Sequence, residues 1–169
     1  MRTATIHRQT KETTIQVTLD LDGTGQYKVE TGTGFMDHML AHLAAHGLFD
    51  LTVQASGDLH VDSHHTVEDI ALTLGEAFDQ ALGDRAGIVR IGSAYVPMDE
   101  ALGSVAVDIS GRPCLVFRAE FQTAAVGGFD TELVKEFFQA FVNHAQISMH
   151  QSVPYGDNTH HKIEALFKA

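Results

Sequence analysis

Two copies of one short motif contain the residues best suited to chemistry. Residues 64–68 and residues 160–164 both have the pattern His-His-x-x-Glu. If each copy lies on a helix, its first His and its Glu share one face, while the second His points about 100° away around the axis. One copy can therefore contribute ligands to two metal ions, and the duplication predicts two metal sites.

A further candidate ligand precedes each motif, His38 before the first and Glu136 before the second. Imidazole with a few carboxylates suits manganese, iron, cobalt or zinc better than calcium, which takes oxygen ligands. Helix geometry and the repeat divide the eight residues into two sets of four. One set is His64, Glu68, Glu136 and His161, and the other is His38, His65, His160 and Glu164. The halves that meet at each set could belong to one subunit or to two neighbouring subunits.

His42 and His46 continue the spacing of four that starts at His38. Because residues eight apart on a helix are separated by about 12 Å along its axis, the three side chains cannot all bind one ion. We predict that His38 is a ligand, that His46 either faces the substrate or supports a ligand, and that His42 lies outside the site. Asp37 and Asp69 each adjoin a predicted ligand, and we expect them to orient imidazole rings.

Composition restricts the class of protein. The net charge of −11 argues against nucleic acid or an anionic membrane as a partner. The single cysteine, Cys114, excludes an internal disulfide framework and fits a reducing compartment. Neither a signal peptide nor an apolar run of about 18 residues is recognisable, so we expect a cytoplasmic protein.

The elements that must position these residues follow from periodicity. In the first half, alternation predicts a strand over 13–20, a turn at 22–25 and a hairpin partner over 26–30. Further predicted elements of this half are a helix over 35–46, a strand over 48–55 and a helix over 64–82.

The second half repeats this order of elements. Strands are predicted over 91–98, 103–109, 115–121 and 147–153, and helices over 131–145 and from 160, with Thr159 as N-cap. The chain therefore predicts an α+β fold with internal duplication, residues 1–84 and residues 85–169 forming two similar halves. Each half is expected to hold an antiparallel or mixed four-stranded sheet with two helices on one face, and the halves to pack together.

Four segments resemble those of a known family. They are residues 34–39, 62–69, 108–113 and 156–169. In their length and order they closely resemble imidazoleglycerol-phosphate dehydratase of histidine biosynthesis. The resemblance implies a ribosomal-protein-S5-domain-2-like fold and a lyase that dehydrates D-erythro-imidazoleglycerol phosphate to imidazoleacetol phosphate. It also implies two manganese ions per active site and a homo-oligomer of twenty-four subunits with active sites between subunits.

The resemblance also assigns roles by position. The metal ligands of the family fall on the eight residues named above, although some relatives have histidine where this chain has Glu136. The implied substrate contacts are Glu12, His38, His46, His64, Arg90, Arg112, His160 and Lys168, and the implied catalytic residues are Glu12, His46 and Glu164. Relatives usually continue beyond the position of Ala169 into a tail that contacts the phosphate, so we expect weaker phosphate binding by the sequence as it stands.

These residue types suit such a dehydration. Metal ligation would let the substrate imidazole exist as imidazolate, whose electrons can expel the neighbouring hydroxyl. By resemblance, Glu12 would be the acid or base, and Arg90, Arg112 and Lys168 would hold the phosphate. Glu12 as a solvated charge and Arg112 as a turn residue remain alternatives.

Two other functions fit the metal motifs. A dinuclear metallohydrolase would use the same ions to activate water against a phosphate ester. A protein that stores metal or assembles around it would have closed sites and would lack the arginine and lysine cluster. Binding of a phosphate analogue would distinguish this last class from the two enzymes.

Overall fold

Two four-stranded sheets with the same strand order form the framework. The computed structural model describes residues 2–169. Its elements are β1 (Thr3–Gln9), β2 (Thr13–Asp20), β3 (Tyr27–Glu30), α1 (Gly34–Gly47), β4 (Asp50–Gly57), α2 (His64–Leu82), β5 (Ile91–Met98), β6 (Ala101–Asp108), β7 (Cys114–Arg118), β8 (Ala125–Val126), β9 (Phe129–Asp130), α3 (Leu133–Ala145), β10 (Ser148–Tyr155) and α4 (Thr159–Lys168). The sheets have the orders β1-β2-β4-β3 and β5-β6-β10-β7. The predicted α+β fold with internal duplication is confirmed.

Both sheets are mixed. β3 pairs with β4 in parallel, and β7 pairs with β10 in parallel, whereas the other pairs within the two large sheets are antiparallel. The turn between β1 and β2 therefore corresponds to the turn between β5 and β6, and α2 corresponds to α4. No helix within residues 2–169 is long and apolar enough to cross a membrane.

The four helices lie between the two sheets. α1 and α2 pack on the first sheet, α3 and α4 pack on the second, and the two helix pairs meet through α2 with α3 and α1 with α4. Strand β2 shows why this buries a core, because Ile15, Val17 and Leu19 alternate with more exposed residues and point toward the helices. The contact between α1 and α4 brings the start of the second His-His-x-x-Glu motif beside His38.

Two glycines allow helices to approach closely. A Cβ atom on Gly75 of α2 would lie 2.6 Å from the carbonyl oxygen of Phe141 on α3, and one on Gly103 of β6 would lie 2.7 Å from the backbone of Ala165 on α4. Neither position has room for a larger side chain. Gly103 therefore helps to set the distance of α4, and of the motif on it, from the second sheet.

The predicted hairpin between 13–20 and 26–30 was wrong. β2 pairs with β1 and β4, and β3 pairs only with β4. Asp50 at the start of β4 accepts hydrogen bonds from the backbone N–H groups of Thr24 (2.7 Å) and Gln26 (2.9 Å). These bonds hold the connection against β4, so the chain passes over to the far side of that strand. The division at residues 84 and 85 stays a prediction.

Candidate active site

Helices α1 and α4 bring three predicted metal ligands together within one chain. Nε2 of His38 lies 3.3 Å and Nε2 of His160 lies 3.1 Å from Oε2 of Glu164. The candidate ligand atoms of these residues are all within 4.8 Å of one another. Asn158 is the N-cap of α4, in place of the predicted Thr159, and its side chain accepts hydrogen bonds from the first two N–H groups of the motif.

Glu164 is buried yet ionised. Only 3% of the residue is exposed, and Nζ of Lys168 lies 2.5 Å from its Oε1. Burial acts to raise the pKa of Glu164, but the hydrogen bond from Lys168 and the electrostatic attraction of the surrounding groups outweigh it and hold this pKa at about 2. A carboxylate in this form is ready to accept a cation without first losing a proton.

His42 belongs to this cluster, contrary to the prediction from helix spacing. Its Nε2 lies 3.2 Å from Nε2 of His38 and 3.3 Å from Oε1 of Glu164. Burial lowers the pKa of His42, which favours the neutral ring with a free lone pair. His46, one turn further along α1, is exposed, and its ring centre lies 5.6 Å from that of His42. His38 and His42 both reach Glu164 on the neighbouring helix, whereas His46 makes no polar contact with it within residues 2–169, so the three side chains still do not meet at one point.

The donor set on α1 and α4 fits a borderline divalent cation. It offers two imidazole nitrogens and one ionised carboxylate, with a third imidazole adjacent. Manganese, iron, cobalt and zinc accept this mixture, whereas calcium prefers oxygen alone. The fourth member of the predicted set, His65, is on α2, and no polar contact within residues 2–169 joins it to the other three.

The second predicted set is not brought together in the part of the chain that the structure describes. His64 lines a cavity of about 310 Å³ between the starts of α2 and α3, together with Asp130 and Glu132. Glu68 and Glu136 are exposed on those two helices. His161 is on α4 and contacts the turn between β5 and β6 instead.

Each motif has its second histidine bonded to a carboxylate that the sequence did not reveal. Nδ1 of His65 lies 2.9 Å from Oδ2 of Asp58, and Nδ1 of His161 lies 2.7 Å from Oε2 of Glu100. The pKa of Glu100 is lowered to about 2. The hydrogen bond from the N–H of Asn158 has the largest effect on it, and the hydrogen bond from His161 has the next largest. Asp58 and Glu100 are in turns outside the motifs, so no spacing rule identifies them.

Asp37 and Asp69, which adjoin predicted ligands, bond to groups other than histidines. Asp37 accepts hydrogen bonds from the N–H and the hydroxyl of Thr31. Asp69 pairs with Arg8 at 2.8 Å and accepts a hydrogen bond from the hydroxyl of Thr13. The prediction that Asp37 and Asp69 orient imidazole rings was therefore wrong, because both bond to the strand or loop beside their helix.

The basic residues predicted to hold a phosphate are far apart in one chain. Arg90, before β5, forms a two-bond ion pair with Asp108 at 2.6 and 2.9 Å, and hydrogen bonding with Arg90 lowers the pKa of Asp108. Arg112 is exposed in the turn before β7, at the same end of the sheet. Lys168 contacts Met98 at the opposite end of β5, a strand that spans roughly 25 Å.

Glu12 is exposed in the turn between β1 and β2. Its charge reaches the first motif, since the pKa of His65 is raised mainly by hydrogen bonding to Asp58 and to a smaller extent by Glu12. A single chain therefore presents most of the predicted site residues in three places. These are the α1–α4 cluster, the start of α2 with Glu12, and the Arg90–Arg112 end of the second sheet.

Comparisons with known proteins agree on one family. Residues 31–169 match the family model described as imidazoleglycerol-phosphate dehydratase. The chain is 56% identical over 169 residues to the imidazoleglycerol-phosphate dehydratase of Hydrogenovibrio crunogenus, covering 100% of this chain and 87% of that protein. It is 58% identical over 168 residues to that of Acidithiobacillus ferrooxidans, covering 99% and 84%.

Solved structures give the same result. The crystal structure of imidazoleglycerol-phosphate dehydratase from Staphylococcus aureus superposes with a TM-score of 0.89 at 40% identity, covering 99% of this chain and 92% of that one. The structure of the Pyrococcus furiosus protein in complex with (S)-C348 gives a TM-score of 0.84 at 36% identity, covering 96% and 87%. The chain belongs to the imidazoleglycerol-phosphate dehydratase family, a family of hydro-lyases in histidine biosynthesis.

Proposed function

We propose that this enzyme converts imidazoleglycerol phosphate to imidazoleacetol phosphate with two manganese ions per active site. The observation that carries the metal part of the proposal is the buried, ionised Glu164 between His38 and His160. Bound divalent ions would supply Lewis-acid stabilisation of an imidazolate form of the substrate. His38, His65, His160 and Glu164 would hold one ion, and His64, Glu68, Glu136 and His161 the other.

The remaining residues would bind the substrate and move its proton. Glu12 is exposed and beside the first motif, where its carboxylate can exchange a proton with the substrate carbon. Arg90, Arg112 and Lys168 would bind the phosphate through charge-assisted hydrogen bonds. His46 is exposed one turn beyond His42 on α1, where it would contact the substrate.

The separation of these residues supports an active site shared between subunits. Arg90 and Arg112 lie at the end of the second sheet opposite Lys168, and His65 and His161 lie apart from their predicted partners. Large exposed apolar side chains on β5 and just before it offer surface for a subunit contact. They are Val89, Ile91 and Tyr95, which are 87%, 67% and 72% exposed. We propose a cytoplasmic homo-oligomer of twenty-four subunits, as in the family.

The reaction and its metal dependence can be tested on one preparation. Protein stripped with a chelator is incubated with imidazoleglycerol phosphate before and after manganese is added, and the product is identified by mass. We expect loss of one water molecule, only in the presence of metal. Release of inorganic phosphate would instead favour the dinuclear metallohydrolase, and equal turnover after complete removal of metal would contradict the proposed role of manganese.

The shared site can be tested by mixing two inactive variants. Arg112→Ala and Glu164→Ala would each be inactive alone. In oligomers assembled at random from equal amounts of both chains, about one half of the sites receive an intact Arg112, and about one half receive an intact Glu164. Because the two residues come from different subunits, about one quarter of the sites would be complete. Absence of recovery in oligomers shown by native mass spectrometry to contain both chains would contradict a site between subunits.

A further inference from the structure

The internal duplication places two glutamates at equivalent positions in two equivalent turns. Thr10 donates its N–H to the carbonyl of Thr13, so Lys11 and Glu12 form a two-residue turn between β1 and β2. Met98 pairs with Ala101, so Asp99 and Glu100 form the turn between β5 and β6. Glu12 and Glu100 are both the second residue of their turn.

The surroundings of the two carboxylates differ. Glu12 is exposed, and within residues 2–169 its carboxylate forms neither a hydrogen bond nor an ion pair. The carboxylate of Glu100 accepts three hydrogen bonds. They come from Nδ1 of His161 at 2.7 Å, from the N–H of Asn158 at 2.7 Å and from the N–H of Asp157 at 3.1 Å.

These bonds determine how His161 can act. A carboxylate accepts hydrogen bonds and does not donate them, so the ring must be protonated at Nδ1. In the neutral ring, Nε2 then keeps its lone pair. The nearest carboxylate oxygen to Nε2 is Oδ2 of Asp99 at 3.7 Å, beyond hydrogen-bond distance. Bonding through one nitrogen fixes the tautomer and the orientation of a histidine that binds metal through the other.

We propose that Glu100 is a positioning residue, which keeps Nε2 of His161 free to bind a divalent metal ion. The inference rests on the proposed role of His161 as a metal ligand. Glu100 also holds the 157–158 segment, whose Asn158 caps α4, so ring and helix start are fixed by one side chain. The two equivalent turns thus differ: within residues 2–169 the carboxylate of Glu12 has no hydrogen-bond partner, whereas that of Glu100 is bonded to His161 and the 157–158 segment.

A purely structural role would also explain the bonds to the backbone. Glu100→Gln separates the two roles. The amide oxygen of the variant can still accept hydrogen bonds from Asp157 and Asn158, whereas its NH₂ group can only donate toward His161. The variant should therefore keep the loop but favour the tautomer of His161 with the proton on Nε2.

The tautomer is read in solid-state ¹⁵N spectra of histidine-labelled, chelator-treated protein, with His161 assigned by comparison with His161→Gln. We expect Nδ1 to be protonated in the unmutated protein and Nε2 in Glu100→Gln. An unmutated protein with the proton on Nε2 would overturn the inference without any variant. So would a Glu100→Gln protein that retains the original tautomer.

Metal binding supplies the second readout. Titration with Mn²⁺, followed by the electron paramagnetic resonance of free ion, should show one of two classes of site weakened about 10- to 100-fold in Glu100→Gln, with the other class unchanged. Asp157→Asn removes one charge from the same loop and should change neither affinity nor tautomer. Unchanged Mn²⁺ affinity in Glu100→Gln would overturn the inference. A protein that dehydrates no substrate would contradict the proposed function while the tautomer in chelator-treated protein still tests Glu100.

Discussion

The two His-His-x-x-Glu motifs start equivalent helices but have different surroundings. At the start of α4, Glu164 is buried and contacts two histidines from α1 and the ammonium group of Lys168. At the start of α2, the equivalent Glu68 is exposed and contacts none of the predicted ligands in the part of the chain that the structure describes. The comparison teaches that equal motifs need not have equal packing, because Glu164 meets side chains from two helices of its own chain and Glu68 faces solvent.

Neighbouring side chains explain the difference. Four residues after Glu164 is Lys168, whose charge offsets the cost of burying a carboxylate, but four residues after Glu68 is Leu72. His38 and His42 face α4 from α1, whereas Glu136 is the only predicted ligand on α3. No lysine or arginine lies on α2 to offset the cost of burying Glu68, so its carboxylate remains in water.

The largest effect is expected from comparing Glu164→Ala with Glu68→Ala. Both variants should lose one metal ion and about 1000-fold in turnover, since Lewis-acid stabilisation is worth several kcal/mol. Only Glu164→Ala should also destabilise the metal-free protein, by about 2 kcal/mol, because it leaves the half-buried ammonium group of Lys168 without its carboxylate partner. Metal analysis and denaturant unfolding of chelator-treated protein measure both quantities.

His144→Ala is the matched control, because the Nδ1–H of its ring donates a hydrogen bond to the carbonyl oxygen of Ala140 on its own helix. It should keep both metals and nearly full turnover. Equal losses of stability in Glu164→Ala and Glu68→Ala would contradict the difference between the two motifs.

A smaller loss is expected from Glu12→Gln. The variant keeps the size and polarity of the side chain but cannot exchange a proton, so turnover should fall by about 100-fold, at the lower end of the range of general acid–base catalysis. Its metal content should stay at the level of the unmutated protein, unlike that of Glu100→Gln. Steady-state kinetics and metal analysis on the same samples check this. Full activity in Glu12→Gln would leave Glu12 as a solvated turn residue.

Local patterns in the sequence predicted much of the fold. The bounds of α2 and of β5 agree with the predicted ranges, because helix periodicity, terminal glycines and strand alternation act within a few residues. The position of β3 could not be predicted in the same way. It depends on Asp50, which follows β3 and α1 in the chain and bonds to the connection before them.

The candidate site shows the same limit. The second motif predicted His160 and Glu164 as ligands, the position upstream of the first motif predicted His38, and the structure brings the three together. His42 was excluded on the geometry of one helix, but its partner is on another. Glu100 and His161 are 61 positions apart, and only the packing of α4 against the turn after β5 joins them. Residues that orient ligands are chosen by tertiary contacts, so a motif does not contain them.

The smallest expected effect is on stability, and it comes from two side chains at equivalent places in the two halves. Asp50 starts β4 and Ser148 starts β10, and each bonds to the connection that precedes the neighbouring parallel strand. Asp50 accepts hydrogen bonds from the N–H groups of Thr24 and Gln26, and the hydroxyl of Ser148 donates one to the carbonyl of Arg112. The N–H groups of Thr24 and then Gln26 lower the pKa of Asp50 below its ordinary value of 3.8. A lowered pKa in the folded protein stabilises it above pH 3.8, and this stabilisation is lost as the pH falls through the lowered value.

Asp50→Asn should therefore lower the free energy of unfolding at pH 7, and the difference from the unmutated protein should shrink as the pH falls below 3.8. Ser148→Ala removes a neutral hydrogen bond, so its effect of about 1 kcal/mol should not change over the same range. Denaturant unfolding of chelator-treated protein at several pH values measures both. If the two variants had the same pH dependence, the charge of Asp50 would not contribute, and the two halves would hold their connections in the same way.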